Sequence, residues 1–150
     1  MRDEHLWTAL RLTLAVLLAA HGWARLLAGG VEPFGIWLNA QGFVIGTAIA
    51  WGVTLYEIVG TVLLAAKRFV FPLAVGFSLV YLAGLILVHW PEGWFVVGLG
   101  RNGMEYSVVL IVLLLCVGTH YRNPRQSQGQ ASWKRGSLPI SPRLKSRVAG

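Results

Sequence analysis

Residues 96–118 read VVGLGRNGMEYSVVLIVLLLCVG, and two incompatible folds compete for them. Gly98, Gly100 and Gly103 carry the spacing G-x-G-x-x-G, the fingerprint of a dinucleotide-binding turn, and WFVV before them has the make-up of a strand. A nucleotide-binding helix covers one face of a sheet and leaves its other side wet, so it is amphipathic. The segment after these glycines, SVVLIVLLLCVG, is apolar all round. The fingerprint also calls for an acidic residue about 20 positions further on to hold the ribose hydroxyls; HYRNPRQ stands there instead. The glycines are therefore read as a turn ending at a helix N-terminus, and the helix after them as one surrounded by lipid.

The rest of the chain agrees. Of its 150 residues, 55% are hydrophobic and only 13% charged, against about 25% charged in a soluble domain. Pro33 to Tyr56 and Phe69 to Pro91 contain no Asp, Glu, Lys or Arg. A bilayer core about 30 Å thick needs about 20 mostly apolar residues in a helix. Four spans are expected, near Leu6–Leu27, Phe43–Ala66, Phe69–Trp90 and Met104–His120. The first carries Arg11, which can snorkel from near one end. It is too long, and its HGWARLL too poor a cleavage site, for a signal peptide. Lipid leaves no water for open backbone groups, and no barrel-like alternation is present, so the fold class is an all-α integral membrane protein, a four-transmembrane-helix bundle. The single cysteine, Cys116, excludes an internal disulfide and is expected to pack within the fourth span.

Four spans put both termini on one side, and the basic residues choose the side. Arg2, the Lys67–Arg68 turn and the C-terminal segment lie together, with only Arg25 and Arg101 toward the opposite face. The positive-inside rule makes both termini cytoplasmic. The chain thus divides into a membrane domain, 1–120, and a tail, 121–150. The tail holds seven basic residues and no acidic one, equal to the whole net charge of +7. Its Ser, Gly, Gln and Pro content cannot bury a core, so it is expected to be disordered, attracted to anionic lipid headgroups and, lacking a folded reader, not a nucleic-acid binder. Trp7 and Tyr121 suit the inner interface, and Trp23, Trp37, Trp90 and Trp94 the outer one. VEPFGIWLNAQG, with Pro33 near a helix start, reads as a short interfacial helix between the first two spans.

The informative residues are those that lipid should have excluded. Glu57 lies close to the middle of the second span, where a charged residue costs about 2.5–3.5 kcal/mol even on a lenient insertion scale. It must face the bundle, in a stripe with Thr47, Thr54 and Thr61 at helical spacing, while Gly42 and Gly46 form a small-xxx-small pair for close helix contact. Glu57 is either a hydrogen-bonded packing residue or a proton-handling or ligand-contacting one. His21 and Arg25, four residues apart, stand near the outer end of the first span. His89 ends the third, sharing a face with Ser78 and Tyr81, and Arg101 and Glu105 precede the fourth. Together these form one outer layer, either a set of interface anchors or a site. Histidine passes protons near neutral pH, and arginine attracts anions or carbonyl oxygens, as a lipid-soluble quinone requires. Nothing fixes His21 and His89 to face each other, so haem is not expected; zinc lacks a third ligand at suitable spacing, and no metal is expected.

RLTLAVLLAAHGWARLL, GVTLYEIVGTVLLAAKR and GRNGMEYSVVLIVLLL resemble, in this order, the first, second and fourth spans of the DoxX family, and the similarity extends over residues 8–118. The resemblance implies a four-helix bacterial inner-membrane protein, in a family that includes the small subunit of a thiosulfate:quinone oxidoreductase and members associated with membrane redox complexes that handle thiols. It carries over His21, Gly22, Arg25, Glu57, Gly103 and Glu105. The expected function is that of a membrane subunit of a redox complex, quinone-linked and thiol- or sulfur-related, with a protein partner or homo-oligomer. Its catalytic candidates are Glu57, His21 and Glu105, and its ligand-binding candidates Arg25, His89 and Arg101. A non-catalytic scaffold that docks a partner is the alternative. A small transporter or proton channel ranks below both, because the sequence contains no inverted repeat.

Overall fold

The computed structural model describes residues 2–122 apart from Leu99. The described chain is helical and connected by loops: α1 (Arg2–Leu27), α2 (Val31–Ala40), α3 (Gly46–Ala65), α4 (Val70–Gly84) and α5 (Glu105–Arg122). Beyond Gly84, α4 continues as a π-helical turn, Leu85–His89, and a 3₁₀ turn, Trp90–Glu92. Four segments are long and apolar enough to cross a membrane: Asp3–Leu27, Gly46–Ala65, Val70–Glu92 and Glu105–Arg122. The protein is thus an all-α, multi-pass membrane protein. The fourth span, α5, runs through Arg122, two residues past the expected boundary of the tail. The remaining tail, with its expected disorder, lies outside the described residues.

The helices are sorted as lipid requires. On α3, Thr54, Glu57 and Thr61 are buried while Leu55, Val59 and Val62 are exposed. Polar groups inside and apolar groups outside invert the soluble pattern, because lipid solvates Leu and Val but cannot satisfy a carboxylate. Both buried threonines bond back to their own helix, Thr54 Oγ1 to Ala50 O (2.7 Å) and Thr61 Oγ1 to Glu57 O (2.6 Å). Thr47, expected in the same stripe, is exposed at the helix start. Cys116, expected in the packing, is exposed on α5.

Contacts are densest within two pairs, α1 with α3 and α4 with α5; the α1–α5 and α3–α4 seams that close the bundle are thinner. The main apolar core joins Leu14 and Leu18 of α1, Leu64 of α3, Phe77 of α4, and Leu110 and Leu114 of α5. It occupies the half of the bundle nearer the α3–α4 turn. At that end Lys67 Nζ stands 5.3 Å from the centroid of the Tyr121 ring, and Trp7 stacks on His120 at 4.2 Å. The basic turn, the early part of α1 and the end of α5 therefore share one face, as an even number of spans demands. The turn closes α3 with Lys67 in the left-handed region (φ 60°), Arg68 N–H donating to Leu63 O (2.9 Å) and Lys67 N–H to Leu64 O (3.1 Å), the six-to-one pairing of a helix C-cap. Arg11 adds a second closure. It is 5% exposed, and its Nη1 donates to Leu64 O and Ala65 O, the last carbonyls of α3. A cation there also offsets the negative end of the helix dipole.

At the other end, α2 is held against α3 by backbone contact. A Cβ on Gly46 would lie 2.4 Å from Gly35 O, and one on Gly35 would lie 2.6 Å from the Cα of Thr47. Asn39 Oδ1 accepts from Gly46 N–H (2.8 Å), and Val31, Leu38 and Ala50 bury between the two helices. The small-residue contact expected of Gly42 and Gly46 is made by Gly35 and Gly46. Gly42 instead turns the chain at φ 97°, before α3 begins, because its position in the connection asks for a left-handed backbone. Gly46→Val should lower the unfolding midpoint in mixed micelles, at a cost of about 1–3 kcal/mol from overpacking. Gly52→Ala, where an added Cβ meets nothing within 4 Å, should leave it within about 0.5 kcal/mol.

Candidate functional site

Glu57 is 2% exposed and pairs with Arg25 across the α1–α3 seam, Arg25 Nη1 lying 2.7 Å from Glu57 Oε2. The geometry follows from helix direction. Side chains lean toward the N-terminus of their helix, so Arg25, in the last turn of α1, reaches back into the bundle rather than out to the interface. The same Nη1 stands 3.1 Å from Thr54 Oγ1, and the guanidinium carbon lies 4.7 Å from the centroid of the Phe34 ring of α2. Gly22 makes the approach possible. A Cβ at that position would fall 2.9 Å from the Cβ of Glu57 and 3.2 Å from Thr54 O. The His-Gly-x-x-Arg run of α1 is thus a unit: the glycine sets the helix separation and the arginine meets the carboxylate.

Two further side chains belong to this centre. Tyr81 of α4 brings its hydroxyl next to Glu57, yet Oη is buried without a hydrogen bond of adequate geometry. His21 is exposed and stands edge-on to the Tyr81 ring, with centroids 5.9 Å apart. His21, Tyr81 and Glu57 therefore lead from the outside of the bundle to its buried pair. Tyr81 was visible in the sequence as a polar residue on an apolar helix, but nothing there placed it against Glu57, since that contact joins α3 to α4.

The other expected residues gather elsewhere. His89 Nδ1 lies 2.7 Å from Asn102 O, a contact that requires the proton on Nδ1. His89 closes the π-helical turn that follows α4, and Ser78 bonds its own helix at Ala74 O (2.8 Å). Glu105 opens α5 and accepts from Val96 N–H at Oε1 (3.0 Å), while its backbone N–H donates to Trp94 O (3.1 Å). Gly103 sits where a Cβ would meet Trp94 O at 2.4 Å, so the glycine-rich run is a tight loop folded onto the start of α5. Arg101 is exposed beside an open pocket of about 510 Å³ lined by Val96, Val97, Gly98 and Gly100. Arg25 and Glu57 meet inside the helices, His21 stands exposed at the outer edge of that pair, and His89, Arg101 and Glu105 bond to or lie in the loop before α5. Among the described residues, no three His, Cys, Asp or Glu side chains converge where a metal ion could be held.

An all-α multi-pass membrane protein whose first two spans are joined by an arginine paired with a buried glutamate is the class defined by this geometry. Residues 6–90 match the DoxX family, and the chain belongs to it. The matched region takes in α1 from Leu6, α2 to α4 and the π-helical turn, and ends at Trp90, before the glycine loop and α5. No curated protein and no solved structure matched the chain.

Removing Arg25 strands the Glu57 carboxylate in a low-dielectric interior. Arg25→Met should therefore destabilise the protein by about 3 kcal/mol, whereas Arg25→Met combined with Glu57→Leu should recover most of that loss. A double-mutant cycle on unfolding midpoints in micelles checks this. Additive losses would mean that the two side chains do not interact.

Proposed function

We propose that this DoxX protein is the membrane subunit of a redox complex in the bacterial inner membrane, with both termini cytoplasmic, and that it serves a lipid-soluble quinone with a thiol- or sulfur-linked partner. The observation that carries this reading is the exposed His21 set edge-on to Tyr81, whose buried hydroxyl has no bond and lies next to Glu57. A ring approaching from the lipid meets His21 first. A carbonyl oxygen of the quinone would find a donor in the exposed His21 ring N–H, with the buried Tyr81 O–H behind it, and the apolar tail would remain among exposed side chains that lipid already solvates. Glu57, held by Arg25, is placed to exchange a proton with Tyr81, and histidine connects that exchange to the outer surface. Arg25 fixes the carboxylate and balances its charge.

The scaffold reading has one observation in its favour. Arg25 and Glu57 satisfy each other at 2.7 Å, which alone would clamp α1 to α3 without any chemistry. Activity and folding separate the two. His21→Ala and Tyr81→Phe should lower quinone-linked electron transfer in membranes by about a hundredfold, the usual weight of a positioned proton donor, with the amount of folded protein unchanged. Glu57→Gln, which keeps a hydrogen bond to Arg25, should lower it as well. Full activity in all three variants would leave only the clamp. Quinone in the organic extract of the purified protein, and its loss from His21→Ala, provides a second readout.

A further inference from the structure

The end of the bundle remote from the Arg25–Glu57 pair gathers cations that no nearby carboxylate offsets. Arg11 and Lys67 approach the same Tyr121 ring, at 5.5 Å and 5.3 Å from its centroid. Arg68 is exposed in the same turn, and Arg122 lies 4.7 Å from the Phe71 ring. Aromatic faces attract each cation but carry no net charge. Among the described residues the one ion pair is Arg25 with Glu57. The nearest acidic residues along α1 are Asp3 and Glu4 in its first turn, about 10 Å further along the axis than Arg11. His5 lies in the first turns of α1, and His120 is stacked on Trp7.

Arg11 adds a second observation. It is 5% exposed, so its guanidinium is costly to leave unsatisfied. Nη1 is used on the α3 carbonyls, but Nε is buried and has no acceptor. A guanidinium fork, a lysine ammonium and an aromatic ring between them form an arrangement suited to a phosphate oxygen. The apolar flanks indicate which phosphate. Val62, in the last turns of α3, and Phe69, in the turn itself, are 64% and 69% exposed, so hydrocarbon can lie directly beside the cations.

We propose that the Arg11–Lys67–Tyr121 cluster binds the phosphodiester headgroup of an anionic lipid in the leaflet at this end of the bundle. The lipid's acyl chains run along α3 past Val62. The phosphate bridges two cations that otherwise repel. This site belongs to the folded helices and is separate from the basic tail.

The full chain in neutral-detergent micelles is titrated with phosphatidylglycerol while its thermal unfolding midpoint is followed. Arg11→Gln removes a cap of α3 and can impair folding, so the deciding variant is Lys67→Asn, which tolerates the left-handed backbone at this position. Lys67→Asn should weaken the apparent affinity for phosphatidylglycerol about fivefold, the weight of one interfacial basic residue, whereas Arg68→Gln should change it much less. Equal losses in the two variants would mean diffuse attraction, and no dependence on phosphatidylglycerol would mean no site; either result overturns the proposal. Stabilisation by inorganic phosphate alone that matches phosphatidylglycerol would overturn the lipid as ligand.

Discussion

Everything in this fold is arranged around one opposite-charge contact placed in hydrocarbon. Glu57 cannot be wetted, and a carboxylate without a partner at that depth would cost several kcal/mol. Arg25 answers it at 2.7 Å, and the rest of the α1–α3 seam is shaped to allow this. Gly22 removes the side chain that would hold the helices apart, Thr54 adds a hydroxyl, and Phe34 of α2 covers the guanidinium. The pair also explains why α2 folds back against α3. A helix lying free on the membrane surface would leave Arg25 open on one side. Docked through Gly35 and Gly46, α2 encloses it.

Polarity is divided along the bundle. Leu14, Leu18, Phe77 and Leu114 fill the half nearer the α3–α4 turn with tightly packed apolar side chains. Toward the other end the centre is occupied by Arg25, Glu57, Thr54 and the Tyr81 hydroxyl. Without a hydrophobic force between helices in lipid, the first half coheres by dispersion and the second by hydrogen bonds and charge. The thin α1–α5 and α3–α4 seams leave these central contacts to join the two helix pairs.

The sequence disclosed the architecture almost completely because lipid imposes one simple rule on it. Long stretches without charge, a basic turn at Lys67–Arg68 and the short VEPFGIWLNA segment predicted the spans and the intervening helix to within a few residues. Individual side chains were harder to place. Periodicity assigned Glu57 to the interior, and it lies there. It could not reveal that Arg25 bends inward, because that depends on the lean of side chains along a helix running outward. His89, read as part of an outer layer, bonds the backbone of the loop before α5 at Asn102 O. Arg11 read as a snorkelling residue is in fact a cap on a neighbouring helix, a contact 53 residues away in sequence. Glu105 read as part of a polar layer serves its own loop. Each of these differences involves a partner on another segment, which spacing along one helix does not encode.

The sequence separation of the central pair bears on how the chain enters its membrane. Arg25 and Glu57 are 32 residues apart, on the first two spans to leave the ribosome. Neither charge has to wait for α4 or α5 to find a counter-ion. Released side by side from the insertion machinery, α1 and α3 form a hairpin whose charges are mutually neutralised before the second half of the protein has been synthesised. The step at which a lone glutamate would face acyl chains is thereby avoided.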